Sequence, residues 1–152
     1  MIKQYHLKYK QLNKKAIKLI SVMINEGSFF KRDKSTKEIL LNIINQELSK
    51  IYHIKTPYLE FNAENDGYYN QDDNTINLNS KLSLVTFLHE FKHAIQYLKG
   101  LPNNEEIARG WSLSLFYLAS PKHFENAVRK GLIFHQKEIV KWFYLNQMPS
   151  NR

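Results

Sequence analysis

The spacing of the hydrophobic residues changes twice along this chain and limits the fold more than any other feature. Before residue 57 and again after about residue 81, apolar residues recur three or four positions apart, which is typical of helices. Between these regions, residues 58–62 and 75–79 alternate apolar with polar side chains, as half-buried strands do. Turn-forming sequences at 65–67 and 72–74 separate them around Tyr68-Tyr69. The pattern predicts an α+β fold with N-terminal helices, a small antiparallel sheet and further helices.

Capping and stop signals place the predicted helices. Ser35 to Glu38 has the spacing of a capping box, Asn79 or Ser80 is a cap for the helix after the sheet, and Ser120-Pro121 starts a later one. The predicted helices cover residues 5–26, 36–52, 81–98, 104–120, 120–131 and 133–146. A length of 152 residues fits one domain, and we assign residues 1–152 to it.

The composition of the chain excludes several classes of protein. The chain has no cysteine, which excludes disulfides and thiolate metal sites. No stretch approaches the roughly 18 apolar residues of a membrane span, and the basic N-terminus lacks the apolar run of a signal peptide, so we expect a cytoplasmic protein. The net charge of +8 is compatible with nucleic acid, through lysines such as Lys14, Lys15 and Lys18. The lysines are scattered, however, so nucleic acid is an alternative that we do not favour.

Residues 89–93 read His-Glu-Phe-Lys-His and lie inside a predicted helix. Side chains at i and i+4 share one helical face, so His89 and His93 can each bring a ring nitrogen to about 2.0–2.1 Å from one zinc ion. Glu90 projects beside them, where a general base would meet a water held by the metal. The motif predicts one Zn²⁺ per chain and hydrolytic chemistry. The alternatives are two ordinary histidines on an amphipathic helix, or a structural zinc site without catalysis.

A third ligand is needed, because catalytic zinc sites usually combine three protein ligands with one open position. Glu105 and Glu106 follow the turn at Gly100 and Pro102. On a helical wheel Glu105 lies at the edge of the apolar stripe and Glu106 lies near the opposite side. If Asn103 caps the helix, Glu106 can complete a capping box. We therefore favour Glu105, and both residues are also acceptable as ordinary first-turn acids.

With this motif and the run Asn104-Glu105-Glu106-Ile107-Ala108, residues 58–120 resemble the gluzincins, a family of zinc peptidases. The resemblance implies a zincin-like fold and cleavage of a peptide or protein substrate, with His89, His93 and Glu105 as ligands and Glu90 as base. It also implies that strand 75–79 is an edge strand, where Thr75, Ile76, Asn77 and Leu78 would pair with the substrate backbone.

Larger gluzincins stabilise the oxyanion with a residue from a second subdomain, and this chain has no clear equivalent. The candidates are Tyr69, Tyr117, Arg109 and His123, each of which is also acceptable as a structural residue. Two functions of another class therefore stay open: a zinc-containing nucleic-acid-binding module, and an inactive relative of the peptidases that acts through protein interactions.

Overall fold

The computed structural model describes residues 12–131, and these form an α+β arrangement of helices around a three-stranded sheet. The predicted helix at 133–146 lies outside the described residues. A short 3₁₀ turn at Phe29–Lys31 follows the first helix. The elements are α1 (Lys14–Asn25), α2 (Lys34–Tyr52), β1 (Tyr58–Glu60), β2 (Gly67–Asn70), β3 (Thr75–Leu78), α3 (Leu84–Leu98), α4 (Glu105–Ala119) and α5 (Pro121–Arg129).

Helix caps decide where the first two helices begin. The side chain of Asn13 accepts hydrogen bonds from the backbone of Lys15 and Ala16, so α1 begins at Lys14. Residues 12–13 are therefore not helical, although the predicted helix from residue 5 included them. Residues 5–11 of that predicted helix lie outside the described part. Asp33 accepts from the backbone of Thr36 and starts α2, so the predicted capping box at Ser35 is also wrong. Both helices end within one residue of the predicted positions.

The sheet is mixed, not antiparallel as the sequence pattern predicts. Its strand order is β1-β3-β2, with β2 antiparallel and β1 parallel to β3. The strand β3 is therefore the central strand, and all four of its residues are buried. The predicted edge strand at 75–79 is wrong, because β1 and β2 already occupy both of its sides. Within the described sheet, β2 and β1 are the edge strands.

Helix α3 lies at the centre of the described region and packs against β2, β3, α2 and α4. Ser83 caps it through a hydrogen bond from the backbone of Thr86, and this replaces the predicted caps Asn79 and Ser80. Buried apolar residues form one cluster that extends from Leu12 to Phe124 and includes every described helix. None of the helices between residues 12 and 131 is long and apolar enough to cross a membrane.

Candidate metal centre

The two faces of α3 have different surroundings. Phe87 and Phe91 are fully buried, and the ring of Phe91 stacks on Trp111 of α4 at 6.4 Å between centroids. His89 and His93 lie two residues from Phe91 in either direction, about 200° around the helix, and so point away from this aromatic core. Their rings meet edge to face with centroids 4.9 Å apart. The aromatic contacts therefore fix the rotation of α3 and, with it, the direction of both imidazoles.

The turn between α3 and α4 brings a carboxylate to the two histidines. Asn104 caps α4 by accepting a hydrogen bond from the backbone of Ile107, which makes Glu105 the first helical residue. The two oxygens of Glu105 divide between the rings: Oε2 lies 3.0 Å from His89 Nε2, and Oε1 lies 2.7 Å from His93 Nε2. One possible ligand atom from each of the three residues lies within 4.8 Å of the others. Two nitrogens and one oxygen therefore converge.

The surroundings of Asn104 also explain why Glu105, and not Glu106, reaches the histidines. Glu106 would complete a capping box if Asn103 were the cap. With Asn104 as the cap, the third helical position belongs to Ile107, so that argument is wrong. Glu106 is exposed and is not part of the convergent group.

The hydrogen bonds of His93 allow a test of whether these residues suit a metal. Its Nδ1 lies 2.9 Å from Gln96 Oε1, an acceptor, so Nδ1 carries the hydrogen. In the neutral ring, Nε2 then presents a lone pair to Glu105 Oε1 at 2.7 Å, and within residues 12–131 it makes no hydrogen bond. Two electron-rich atoms at this distance need a proton or a cation between them. The donor set therefore fits a bound cation.

Charge and burial act in opposite directions on the members of this group. Burial lowers the pKa of His89, opposed by the negative charge of Glu105. Burial raises the pKa of Glu105, but the charges and hydrogen bonds that His93 and His89 provide in their protonated forms outweigh this and hold the pKa below its usual value. The histidine side chains are about 10% and 9% exposed and that of Glu105 is 65% exposed. The group is therefore closed on the helix side and open to solvent at the carboxylate.

Glu90 is the second acid at this site, and its environment is different. Burial, with a smaller contribution from the negative charge of Glu105, raises the pKa of Glu90 to about 8. The backbone N–H of Tyr69 on β2 donates a hydrogen bond to Glu90 and acts in the opposite direction. Glu90 is thus held between α3 and the edge strand, and its partial burial keeps the pKa of its carboxyl group above the usual value.

These groups line a cleft of about 470 Å³ between α3, β2 and the start of α4. Of the four predicted oxyanion candidates, Tyr69 lines it, but its hydroxyl donates to Asn74 at 2.8 Å. Tyr117 packs against Phe124, His123 lines a different cavity, and Arg109 does not line the cleft.

Sequence reasoning missed several residues that line the cleft: Tyr68, Gln71, Gln96, Tyr97 and Asn103. Gln96 and Tyr97 follow His93 by three and four positions and so share its helical face, which is a signal that the sequence did contain. Tyr68 and Gln71 reach the cleft only because β2 packs on α3, and the sequence does not reveal that packing.

A larger cavity of about 700 Å³ has an aromatic wall that includes Phe29, Phe30 and Phe116. It contains none of the three convergent residues, so its larger size does not make it the candidate site.

A comparison of the chain with protein-family models, with curated proteins and with solved structures gave no significant match.

Proposed function

We propose that this protein is a zinc-dependent peptide hydrolase with a zincin-like fold, in which His89, His93 and Glu105 hold the metal and Glu90 is the general base. One observation carries the proposal: a half-buried acid lies beside a convergent group of two imidazoles and a carboxylate, on the wall of an open cleft. A purely structural metal site has no use for Glu90, whereas hydrolysis requires such a residue.

The choice of zinc rests on the chemistry of the donors. Two neutral imidazoles and one carboxylate are the set that catalytic zinc sites commonly use. Glu105 is exposed, so a fourth position can remain accessible to water and substrate. When bound, zinc supplies Lewis acidity, which makes water more acidic and polarises the carbonyl of the peptide bond to be cleaved.

Glu90 supplies the proton transfers. Its carboxylate takes a proton from the attacking water and then delivers it to the nitrogen of the departing amine. The hydrogen bond from Tyr69 N–H fixes one side of this carboxylate, and the raised pKa makes the ionised group a stronger base than an ordinary glutamate. The attack of water on the carbonyl carbon and the cleavage of the C–N bond thus use one residue as base and then as acid.

The substrate backbone has a place to bind at the free edge of β2. The N–H of Tyr69 points to Glu90 and therefore away from β3, and Gly67 faces the same way because strand residues alternate with a period of two. Both residues line the cleft. Because Glu90 already accepts from the N–H of Tyr69, an extended peptide that adds to this edge would pair with Gly67 and lie across Glu90. This proposal replaces the predicted substrate strand Thr75 to Leu78, which lies inside the sheet.

The substitution Glu90→Gln tests the proposal, because it removes the proton acceptor and keeps the size of the side chain. We expect metal content to stay at one zinc per chain and peptide hydrolysis to fall by about 10²–10⁴-fold. Hydrolysis of a mixed peptide library, read by mass spectrometry, measures activity, and elemental analysis measures zinc. Glu106→Gln is the matched control, since Glu106 is exposed and outside the group, and it should retain both properties.

Two results of this experiment would contradict the proposal. If the unmodified protein takes up no zinc, the metal assignment fails. If it binds zinc but Glu90→Gln changes nothing that can be measured, the protein is a non-catalytic metal-containing module. The exposed lysines Lys14, Lys15 and Lys18 of α1 would then make nucleic acid the next partner to test.

A further inference from the structure

Gln96 connects one histidine of the candidate metal centre to the helix that carries the carboxylate. It lies one turn after His93 on α3 and is 3% exposed. Its Oε1 accepts from His93 Nδ1 at 2.9 Å and from the backbone N–H of Asn104 at 3.3 Å, and its Nε2 donates to the carbonyl of Asn104 at 3.1 Å. The three hydrogen bonds of the Gln96 side chain thus join only two residues, His93 and Asn104.

The backbone of Asn104 determines which way the amide of Gln96 points. A reversed amide would place its NH₂ group against the N–H of Asn104, and its oxygen against the carbonyl of Asn104. Both pairs would be repulsive and buried, so the orientation with Oε1 towards His93 is the only one that satisfies the backbone. Because Oε1 can only accept, Nδ1 of His93 must donate. The backbone at residue 104 thus controls, through one amide, which nitrogen of His93 keeps its hydrogen.

We propose that Gln96 is a positioning residue that selects the metal-binding tautomer of His93 and ties it to the first turn of α4. Hydrogen on Nδ1 leaves the Nε2 lone pair free to bind a cation, and this is the nitrogen that lies 2.7 Å from Glu105 Oε1. The inference rests on the metal site of the proposed function but does not depend on peptide hydrolysis.

The same amide also fixes the position of Glu105. Asn104 donates to Gln96 through its N–H, accepts from Gln96 at its carbonyl and also caps α4, and Glu105 is the next residue. A movement of the α4 start would therefore break contacts with Gln96 before it displaced the carboxylate. The buried side chain of Gln96 thus aligns two of the three candidate ligands, His93 directly and Glu105 through Asn104. Its hydrogen bonds to Asn104 cross the turn between α3 and α4.

Metal affinity gives the first test. Gln96→Leu removes every hydrogen bond, and we expect it to weaken binding of Co²⁺ and Zn²⁺ by about 10–100-fold, measured by competition with a chromophoric chelator. Gln96→Glu keeps an acceptor for His93 Nδ1 but places its second oxygen against the carbonyl of Asn104, so we expect it to recover part of that affinity and the visible spectrum of the Co²⁺-loaded protein. Gln46→Leu is the matched control, because Gln46 is exposed on α2, and it should bind both metals like the unmodified protein. Unchanged affinity in a folded Gln96→Leu variant would overturn the inference.

The tautomer itself gives the second test, in metal-free protein and without any variant. Nitrogen-15 NMR of the histidine rings, at a pH where they are neutral, should show hydrogen on Nδ1 of His93. Glu105 alone would favour hydrogen on Nε2, so the measurement decides between the two neighbours. Hydrogen on Nε2 would overturn the role of Gln96. A protein that binds no metal would instead overturn the proposed function.

Discussion

At the residue scale, the site contains two glutamates whose pKa values are shifted in opposite directions. Glu105 is mostly exposed, and the two histidines beside it hold its pKa below the usual value, so it stays ionised. Glu90 is more buried and has a pKa raised to about 8. Two carboxyl groups whose pKa values are pushed apart are suited to separate tasks, here the proposed tasks of ligand and proton carrier. The difference comes from position alone, because both residues are glutamates.

Replacing each of the adjacent acids Glu105 and Glu106 separates a ligand from an ordinary first-turn residue. We expect Glu105→Gln to weaken zinc binding by more than the roughly 10–100-fold that loss of an outer contact causes, because a charged ligand is removed. Glu106→Gln should change the affinity little, because Glu106 lies outside the convergent group. It loses the same favourable charge at the start of α4 as Glu105→Gln does, and so controls for that effect. Isothermal titration with zinc measures both. Equal losses in the two variants would show that Glu105 acts only through helix charge.

How far the sequence predicts individual residues depends on whether their roles are local. The histidines and Glu90 follow from helical spacing, and Glu105 follows from the position of the apolar stripe on α4. The role of Gln96 could not be predicted, because it depends on the turn between α3 and α4 bringing the backbone of Asn104 back against the Gln96 amide. The predicted oxyanion candidates Tyr117 and His123 do not line the cleft because they pack elsewhere, and no periodicity in the sequence reports such packing.

At the scale of elements, the approach of β2 to α3 forms one wall of the cleft. Gly67 permits this approach: a Cβ atom built there would lie 2.9 Å from Thr86 Cγ2, 3.0 Å from the carbonyl oxygen of Asn77 and 3.1 Å from Leu78 Cδ2. Such distances are shorter than normal contacts between side chains. The hydrogen bond from Tyr69 N–H to Glu90 therefore depends on a glycine two residues earlier in the strand.

The substitution Gly67→Ala tests this dependence. We expect it to lower the free energy of unfolding by about 1–3 kcal/mol, as overpacking of a tight contact does, and to reduce peptide hydrolysis as β2 moves away from Glu90. Urea denaturation measures the stability. Gly100→Ala is the comparison, because Gly100 has a φ of +68° but no atom within 4 Å of an added Cβ. It should show only the cost of a positive φ, about 1–2 kcal/mol, and should keep its peptide hydrolysis. A loss of hydrolysis in Gly100→Ala equal to that in Gly67→Ala would contradict the role of close packing at Gly67.

The element boundaries were largely predictable, but the order of the strands was not. Alternating hydrophobicity identifies β1 and β3, and turn signals bracket the Tyr68-Tyr69 segment of β2, but neither pattern states which strands pair. The side chain of Asn77 on β3 accepts from the backbone of Asn62 at 3.0 Å and donates to the side chain of Asn62 at 2.7 Å. These contacts join residues 15 positions apart and hold the chain after β1 beside β3. A parallel pair of this kind depends on tertiary contacts, so the sequence pattern favoured the simpler meander.

At the scale of the whole molecule, the candidate ligands belong to two helices that pack on each other and on the common core. A cation that binds this folded arrangement, and not the unfolded chain, stabilises the protein by mass action. The stabilising effect should therefore spread through the cooperative unit that contains α3 and α4, and should not be confined to the cleft.

Thermal denaturation with and without zinc measures this coupling. At a free zinc concentration of 100 times Kd, we expect a gain of about 2.7 kcal/mol, which corresponds to an increase in Tm of about 5–10 °C for a chain of this size. A chelator should reverse the increase. His93→Ala is the control and should show no increase, because it lacks one of the three ligands. An equal increase in that variant would mean that zinc stabilises the protein at another place.

The short turn between α3 and α4 has a consequence for how the protein folds. His89 and Glu105 are 16 residues apart along the chain, so the ligand set is nearly local in sequence. Closing a segment of that length costs about 2 kcal/mol less entropy than closing one as long as the described chain. A metal ion can therefore bind a helical hairpin before the sheet and α1 have joined it. The candidate ligand group would then be a nucleus for folding, so the order of assembly would depend on the supply of metal.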